Sequence, residues 1–173
     1  MALPPGTHEL GPANGSLQVK TYREGVAALV GHDLIIDVTG WTATVAVGDD
    51  GALTAFELHV DPRSLRVRDG LRGAKPLSDR DRADIAKTVD ERVLRAQPID
   101  FRSTAVEQGG RVSGELTLAG TTRPVAFALG DDGGRLAGTA TVTQSEWGIK
   151  PYRGLMGALK VRDDVEIVVD VGM

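Results

Sequence analysis

The chain of 173 residues has three histidines, two tryptophans and no cysteine. Without thiols it can form no disulfide, no thiolate nucleophile and no sulfur ligand set. His8, His32 and His59 are scattered, with no HExxH or comparable spacing, so neither a metal nor a cofactor is expected. The sharpest polar pair in apolar surroundings is His32-Asp33, directly ahead of Leu34 and Ile36. One reading is a head-group hydrogen bond, or a general base helped by a carboxylate. The other is a turn residue followed by a strand-end cap. Consecutive strand residues point to opposite faces, which places the two side chains poorly for a joint dyad. No catalytic set is therefore assigned. The alternative, a hydrolase or isomerase, would have to bring Tyr152 or Lys150 to His32.

Charge offers a second kind of chemistry. Arg63, Arg66, Arg68, Arg72 and Lys75 cluster in one segment, and Lys150, Arg153, Lys160 and Arg162 in another. Together at one end of the molecule they would attract a phosphate or carboxylate head group; apart, they are solvated loop charge. The glycines of residues 70–76 lack GxxxxGK[ST] spacing and a βαβ setting, which rejects a phosphate loop. Trp41 and Trp147 are most simply core or rim packing; with Leu155, Met156 and Leu159, Trp147 would instead make a mobile lid, hinged at Gly148, Gly154 and Gly157, or a fixed plug. A net charge of −4 argues against nucleic acid, whose phosphates need a basic face. The N-terminus lacks the basic and apolar regions of a secretory signal, and no run nears the roughly 20 apolar residues of a membrane span. A cytoplasmic chain without stable membrane insertion is the expectation.

These residues must be positioned by strands. Residues 1–15, rich in Pro and Gly, read as a flexible tail and 16–173 as one domain. Leu17, Val19 and Thr21 alternate with polar residues, and residues 26–30 read as a short strand. Leu34, Ile36 and Val38 are apolar at even positions, whereas Trp41, Ala43, Val45 and Val47 are apolar at odd ones. That phase slip beside Gly40 predicts a bulge or sharp bend. Phe56, Leu58 and Val60 form the next strand, with His59 on its polar face. Residues 62–77 read as a loop. Ser78 with Asp81 three residues on is a capping-box pattern. Ile85, Val89 and Val93 then stripe one side of a helix over 78–95 that covers something on one face. Ile99 to Leu129 reads as a three-strand meander, with turns at Gln108-Gly109-Gly110 and Gly120-Thr121-Thr122. Two further strands hold Leu136, Ala140 and Val142, and Val165, Ile167, Val169 and Val171. About nine antiparallel strands with short turns and one helix indicate an all-β sandwich or closed barrel.

The meander also carries a family resemblance. Ile99-Asp100-Phe101-Arg102-Ser103-Thr104-Ala105-Val106, followed by Gly114-Glu115-Leu116-Thr117 and Gly120-Thr121-Thr122-Arg123-Pro124-Val125-Ala126-Phe127, resembles the YceI-like family. Ser145-Glu146-Trp147-Gly148 is similar to that family's S-[DE]-F-G segment, Asp163 to Ile167 to its terminal strand, and His32-Asp33-Leu34 sits where R-H-L is common. The segment from Arg63 to Gln97 lacks its R-D-x-H-L and F-F-D motifs, which marks a divergent branch. The resemblance implies an antiparallel lipocalin-like β-barrel with one capping helix. It further implies a long-chain isoprenoid or fatty lipid as partner.

Alternation places Leu34, Ile36, Phe56, Leu58, Phe101, Leu116, Leu118, Phe127, Leu136 and Val169 inside such a barrel, among small residues at Gly114, Gly138 and Ala140. Barrels of this size are either filled by side chains or hold one small ligand, and the pattern alone suits both. If the lumen is hollow, the ligand-binding set is His32, Leu34, Ile36, Phe56, Leu58 and Phe101, with Leu116, Leu118, Phe127, Trp147, Leu155 and Met156. Each buried methylene contributes roughly 0.8 kcal/mol, and association costs somewhere between about 4 and 15 kcal/mol. A hollow barrel therefore favours a long chain over a small polar metabolite. A filled one would be an interaction module, with an exposed strand edge that supports a homodimer.

Overall fold

Alternating side chains turn most of the chain into antiparallel strands, and the computed structural model describes residues 3–154 and 159–173. The first half contains β1 (Gly6–Leu10), β2 (Gly15–Thr21), the short β3 (Arg23–Glu24), β4 (Asp33–Val38), β5 (Trp41–Val47), β6 (Leu53–Val60) and β7 (Leu65–Leu71). The helix α1 (Asp79–Thr88) follows, extended by a π-helical turn over Val89–Val93. The second half contains β8 (Ile99–Val106), β9 (Arg111–Leu118), β10 (Thr121–Asp131), β11 (Arg135–Thr143), the short β12 (Arg153–Gly154) and β13 (Leu159–Val161), and β14 (Asp164–Gly172). Eleven strands form one curled sheet in the order β1-β5-β6-β8-β9-β10-β11-β14-β2-β4-β7, and β12-β13-β3 form a second, small sheet. The result is an all-β half-barrel with one helix against it.

The sheet turns a corner where two pairs of consecutive strands change direction together. β4 runs into β5 through Thr39-Gly40, and β6 runs into β7 through the turn at Pro62–Ser64. Across this corner the Thr39 N–H donates to the Ser64 carbonyl and the Asp61 N–H to the Gly40 carbonyl, both at 2.9 Å. Each limb thus keeps its partner while changing direction. The phase slip at Gly40 is this corner: Ile36 and Val38 before it and Trp41, Ala43 and Val45 after it all face inward and are buried. Bulges occur elsewhere, between Ile35 and Ile36 in the β4–β7 ladder and between Ser103 and Ala105 in the β8–β9 ladder.

The helix occupies the flank that β7 leaves open. Its capping box forms as the sequence predicts, with the Asp81 N–H donating to Ser78 Oγ at 3.1 Å and the Ser78 N–H to Asp81 Oδ2 at 2.9 Å. β7 is an edge strand, and Arg82 on α1 donates to its Val67 and Arg68 carbonyls. Edge carbonyls are thereby satisfied by a helix side chain instead of another strand. At the other end Arg95 donates to the Gly148 carbonyl at 3.3 Å.

Three segments differ from the sequence reading. Residues 6–10, read within a tail, pair with β5 from Gly6↔Val47 to Leu10↔Ala43, and Leu3 and Leu10 are buried. Burying two leucines outweighs the Pro and Gly content around them. Residues 65–71, read within a loop, are β7, whose Leu65 and Val67 are buried while Arg66 and Arg68 face solvent. Two inward positions before Gly70 are too few to stand out, and arginines are natural on an edge strand. Residues 28–30, read within a strand, form a 3-10 turn closed by the Gly31 N–H on the Ala28 carbonyl.

Gly114 and Gly138 do not create space in the lumen. A Cβ at Gly114 would lie 2.3 Å from the Arg102 carbonyl oxygen and 2.6 Å from the Phe101 ring. One at Gly138 would lie 2.9 Å from Leu129 Cδ2. Both glycines are inward positions already filled by a neighbour's side chain.

Candidate functional site

Between the concave face of the sheet and the helix lies a cavity of about 680 Å³. This is within the size range of small-molecule sites, roughly 300–1,000 Å³. Its sheet wall is made by the inward residues of eight strands of the large sheet, among them Val19, Leu34, Ile36, Leu58, Leu116 and Ile167. Its opposite wall is the helix stripe Ile85, Val89 and Val93, each half-buried. The four-residue spacing seen in the sequence therefore has its explanation: the helix covers the cavity.

The sequence-predicted site residues separate into two groups. His32, Leu34, Ile36, Leu58, Leu116 and Leu118 line the cavity. Phe56, Phe101 and Phe127 do not; they pack on one another, with ring centroids 5.3–6.4 Å apart. Beside them a void of about 10 Å³ among Leu17, Trp41, Phe56, Leu58 and Val169 leaves space for about one water. The aromatic trio thus belongs to the packed core next to the cavity and not to its lining. Trp147 is 1% exposed and packs behind the wall with Val142, Ile149 and Val165, its indole N–H donating to the Leu116 carbonyl at 2.9 Å. Leu155 and Met156, and with them the lid reading, lie outside the described residues. Leu17, Val19, Ile85, Val89 and Ile167 were missing from the sequence-level set. Alternation in β2 and β14 and the helix stripe were the signals that mark them.

Polar residues gather where the cavity reaches solvent. The small sheet β12-β13-β3 and residues 72–77 form this opening and contribute Arg23, Lys75, Tyr152 and Lys160 to the lining. His32 Nε2 donates to the Lys75 carbonyl at 2.5 Å, which ties the opening to β4. Asp33 is 8% exposed, and its carboxylate accepts from the Arg23 backbone N–H at 2.9 Å and lies 3.4 Å from the Arg72 guanidinium. His32 and Asp33 are thus each held by other groups, and no dyad forms between them. Nearby, the Tyr22 hydroxyl donates to Glu166 Oε2 at 3.0 Å beneath the Arg162 guanidinium. Burial first, and then the Glu166 carboxylate, push the Tyr22 hydroxyl above its ordinary pKa. At the helix start, hydrogen bonds from the Ser78 backbone and hydroxyl hold the Asp81 carboxyl below the usual carboxylate range. Among the described residues no group of three His, Cys, Asp or Glu side chains is close enough to hold a metal ion.

An antiparallel half-barrel with an apolar chamber and a polar opening is matched by a known family model. The YceI-like domain model covers residues 12–173. The chain belongs to the YceI-like family. Its structural relatives agree at the level of fold. BcnA of Burkholderia cenocepacia superposes with a TM-score of 0.56 at 16% identity, over 90% of this chain and 94% of that one. The YceI protein of Campylobacter jejuni superposes with a TM-score of 0.62 at 10% identity, over 80% of this chain and 82% of that one. A comparison with curated protein sequences returns no match. No helix among the described residues of this YceI-like protein is long and apolar enough to cross a membrane.

Proposed function

We propose that this YceI-like protein is a non-catalytic carrier that sequesters a long-chain isoprenoid or other fatty amphiphile. The observation that carries the reading is the apolar chamber of about 680 Å³ between sheet and helix. If a methylene takes about the volume of a water molecule in the liquid, roughly 30 Å³, the chamber has room for about twenty of them. Burying even fifteen contributes roughly 12 kcal/mol, enough to offset most or all of the association cost. The apolar tail lies against Leu34, Ile36, Leu58, Leu116, Leu118 and the helix stripe, and its polar end stays beside His32, Lys75 and Tyr152 at the opening.

Native mass spectrometry and organic extraction of the purified protein test this directly. A co-purifying long-chain lipid, or fluorescent-lipid binding that strengthens with tail length, is the expected result. A protein that carries no lipid and binds probes without regard to tail length overturns it.

A further inference from the structure

The opening of the chamber is built differently from the rest of the surface. Val26 is 94% exposed and Leu29 77% exposed, both on the loop that joins β3 to β4. Apolar side chains that far into water gain nothing in the free protein. Around them the rim segments concentrate positive charge. Arg72 and Lys75 lie on residues 71–77, Lys150 and Arg153 on residues 150–154, Lys160 and Arg162 on β13 and just after it, and Arg23 on β3. Against these seven cations the same segments carry Glu24 and Asp163, and β4 begins with Asp33. All three are engaged: Asp33 with Arg23 and Arg72, Glu24 with Lys160 and Arg162, and Asp163 with the Ser145 N–H and hydroxyl. The helix start adds Asp81, capped by Ser78, and Asp84, 4.0 Å from Arg80. Lys75, Lys150 and Arg153 have no carboxylate partner among the described residues. All this sits on a chain whose net charge is −4, so the basic rim is a local feature and not a reflection of composition.

Exposed aliphatic side chains ringed by cations match the interface of an anionic bilayer, where apolar groups enter the acyl boundary and cations meet head-group phosphates. We propose that the chamber's rim docks reversibly on anionic lipid membranes, with Val26 and Leu29 entering the interface and the rim cations on the head groups. Direct passage of a chain between bilayer and chamber rests on the carrier reading above; the docking itself does not.

The test is flotation of the full chain with vesicles of phosphatidylcholine alone or mixed with phosphatidylglycerol, at about 0.15 M ionic strength and at high salt. Binding is expected on the anionic vesicles and should fade as salt rises. The pair Val26→Ser and Leu29→Ser should lower partitioning by about tenfold or more per residue, since each loses the burial of an aliphatic side chain. The pair Lys75→Glu and Arg153→Glu should lower it by at least about 30-fold, near fivefold for each cation lost. All four positions are exposed, so circular dichroism should show unchanged folding. Fluorescent-lipid binding without vesicles, measured on the same Val26 and Leu29 variants, should be unaltered. Absence of vesicle binding, equal binding to neutral vesicles, or variants indistinguishable from the wild type would overturn the docking and leave the carrier reading standing. So would a doubled mass in solution that the Val26 and Leu29 variants lose, which would make the loop a contact between two copies. Docking without lipid uptake would support the rim proposal while refuting the carrier.

Discussion

Replacing Ile85 by tryptophan should shorten the longest chain that the chamber accepts. Ile85 stands on α1, half-buried, and faces the sheet wall across the cavity. At about 30 Å³ for each methylene, the cavity of about 680 Å³ takes about twenty. Up to that length each added methylene contributes roughly 0.8 kcal/mol, which is about fourfold in Kd. A series of straight-chain alcohols or acids should therefore tighten about fourfold per carbon and level off near about twenty carbons. Ile85→Trp adds about six non-hydrogen atoms, the space of about six methylenes, so the break should move to about fourteen carbons. Leu118→Trp, which intrudes from the opposite wall, should move it by a similar amount. Displacement of a fluorescent fatty probe, below the micellar concentration of each competitor, reads the break directly. Thermal denaturation checks that both variants fold. A wild-type series with no dependence on length, or a break that stays at the same carbon number in both variants, refutes the assignment of this space to a chain.

Ser78→Ala removes the helix cap and should cost about 1 kcal/mol in a urea unfolding experiment. Gly114→Ala pushes a Cβ onto the Arg102 carbonyl and the Phe101 ring and should cost about 1 to 3 kcal/mol by the same measure. Asp81, held low by the Ser78 hydrogen bonds, stabilises the fold above its ordinary carboxylate range and loses that contribution as pH falls through its depressed folded value. Asp81→Asn should therefore flatten the acid limb of a stability-against-pH curve. Tyr22 has the opposite sign. Its raised pKa makes a contribution that is present below the ordinary tyrosine value and lost as pH rises through the folded one, so Tyr22→Phe should flatten the alkaline limb.

Much of the fold was legible because alternation and turn chemistry agree. The meander falls where the sequence places it, with turns at the predicted glycines. The capping box and its apolar stripe mark the helix, whose π-turn over Val89–Val93 leaves the stripe pointing at the cavity. β1 and β7 were not legible. Each is short, sits at an end of the sheet order, and is held by a partner remote in sequence: β5 for the first, β4 and Arg82 for the second. The site was half legible. Alternation says which side chains point inward, and Leu34, Ile36, Leu58, Leu116 and Leu118 do. It does not say at what height along the barrel they point, and height decides what they meet.

The choice between a filled core and a hollow lumen resolves along the strands and not between them. On β6, Leu58 and Val60 line the cavity and Phe56 does not; on β8, Ile99 lines it and Phe101 does not. On β9 the division falls between Leu116 and Gly114, on β11 between Val142 and Ala140, and on β14 between Ile167 and Val169. Below that level the three phenylalanines of the chain meet, and the glycine at 114 lets the Phe101 ring lie across β9. Above it every cavity-lining residue of the eleven-stranded sheet is a branched aliphatic or a threonine, and the sheet lacks the bulk to reach the helix. The three phenylalanine rings supply much of the packing at their end, since aromatic side chains bury the most area per residue, and Trp147 backs the cavity wall from outside it. The other end is then free to stay open, because its walls are already held by the ladders behind them and by the helix anchored on β7. A single barrel thus contains both outcomes, and the boundary between them sets the depth to which a bound chain can descend.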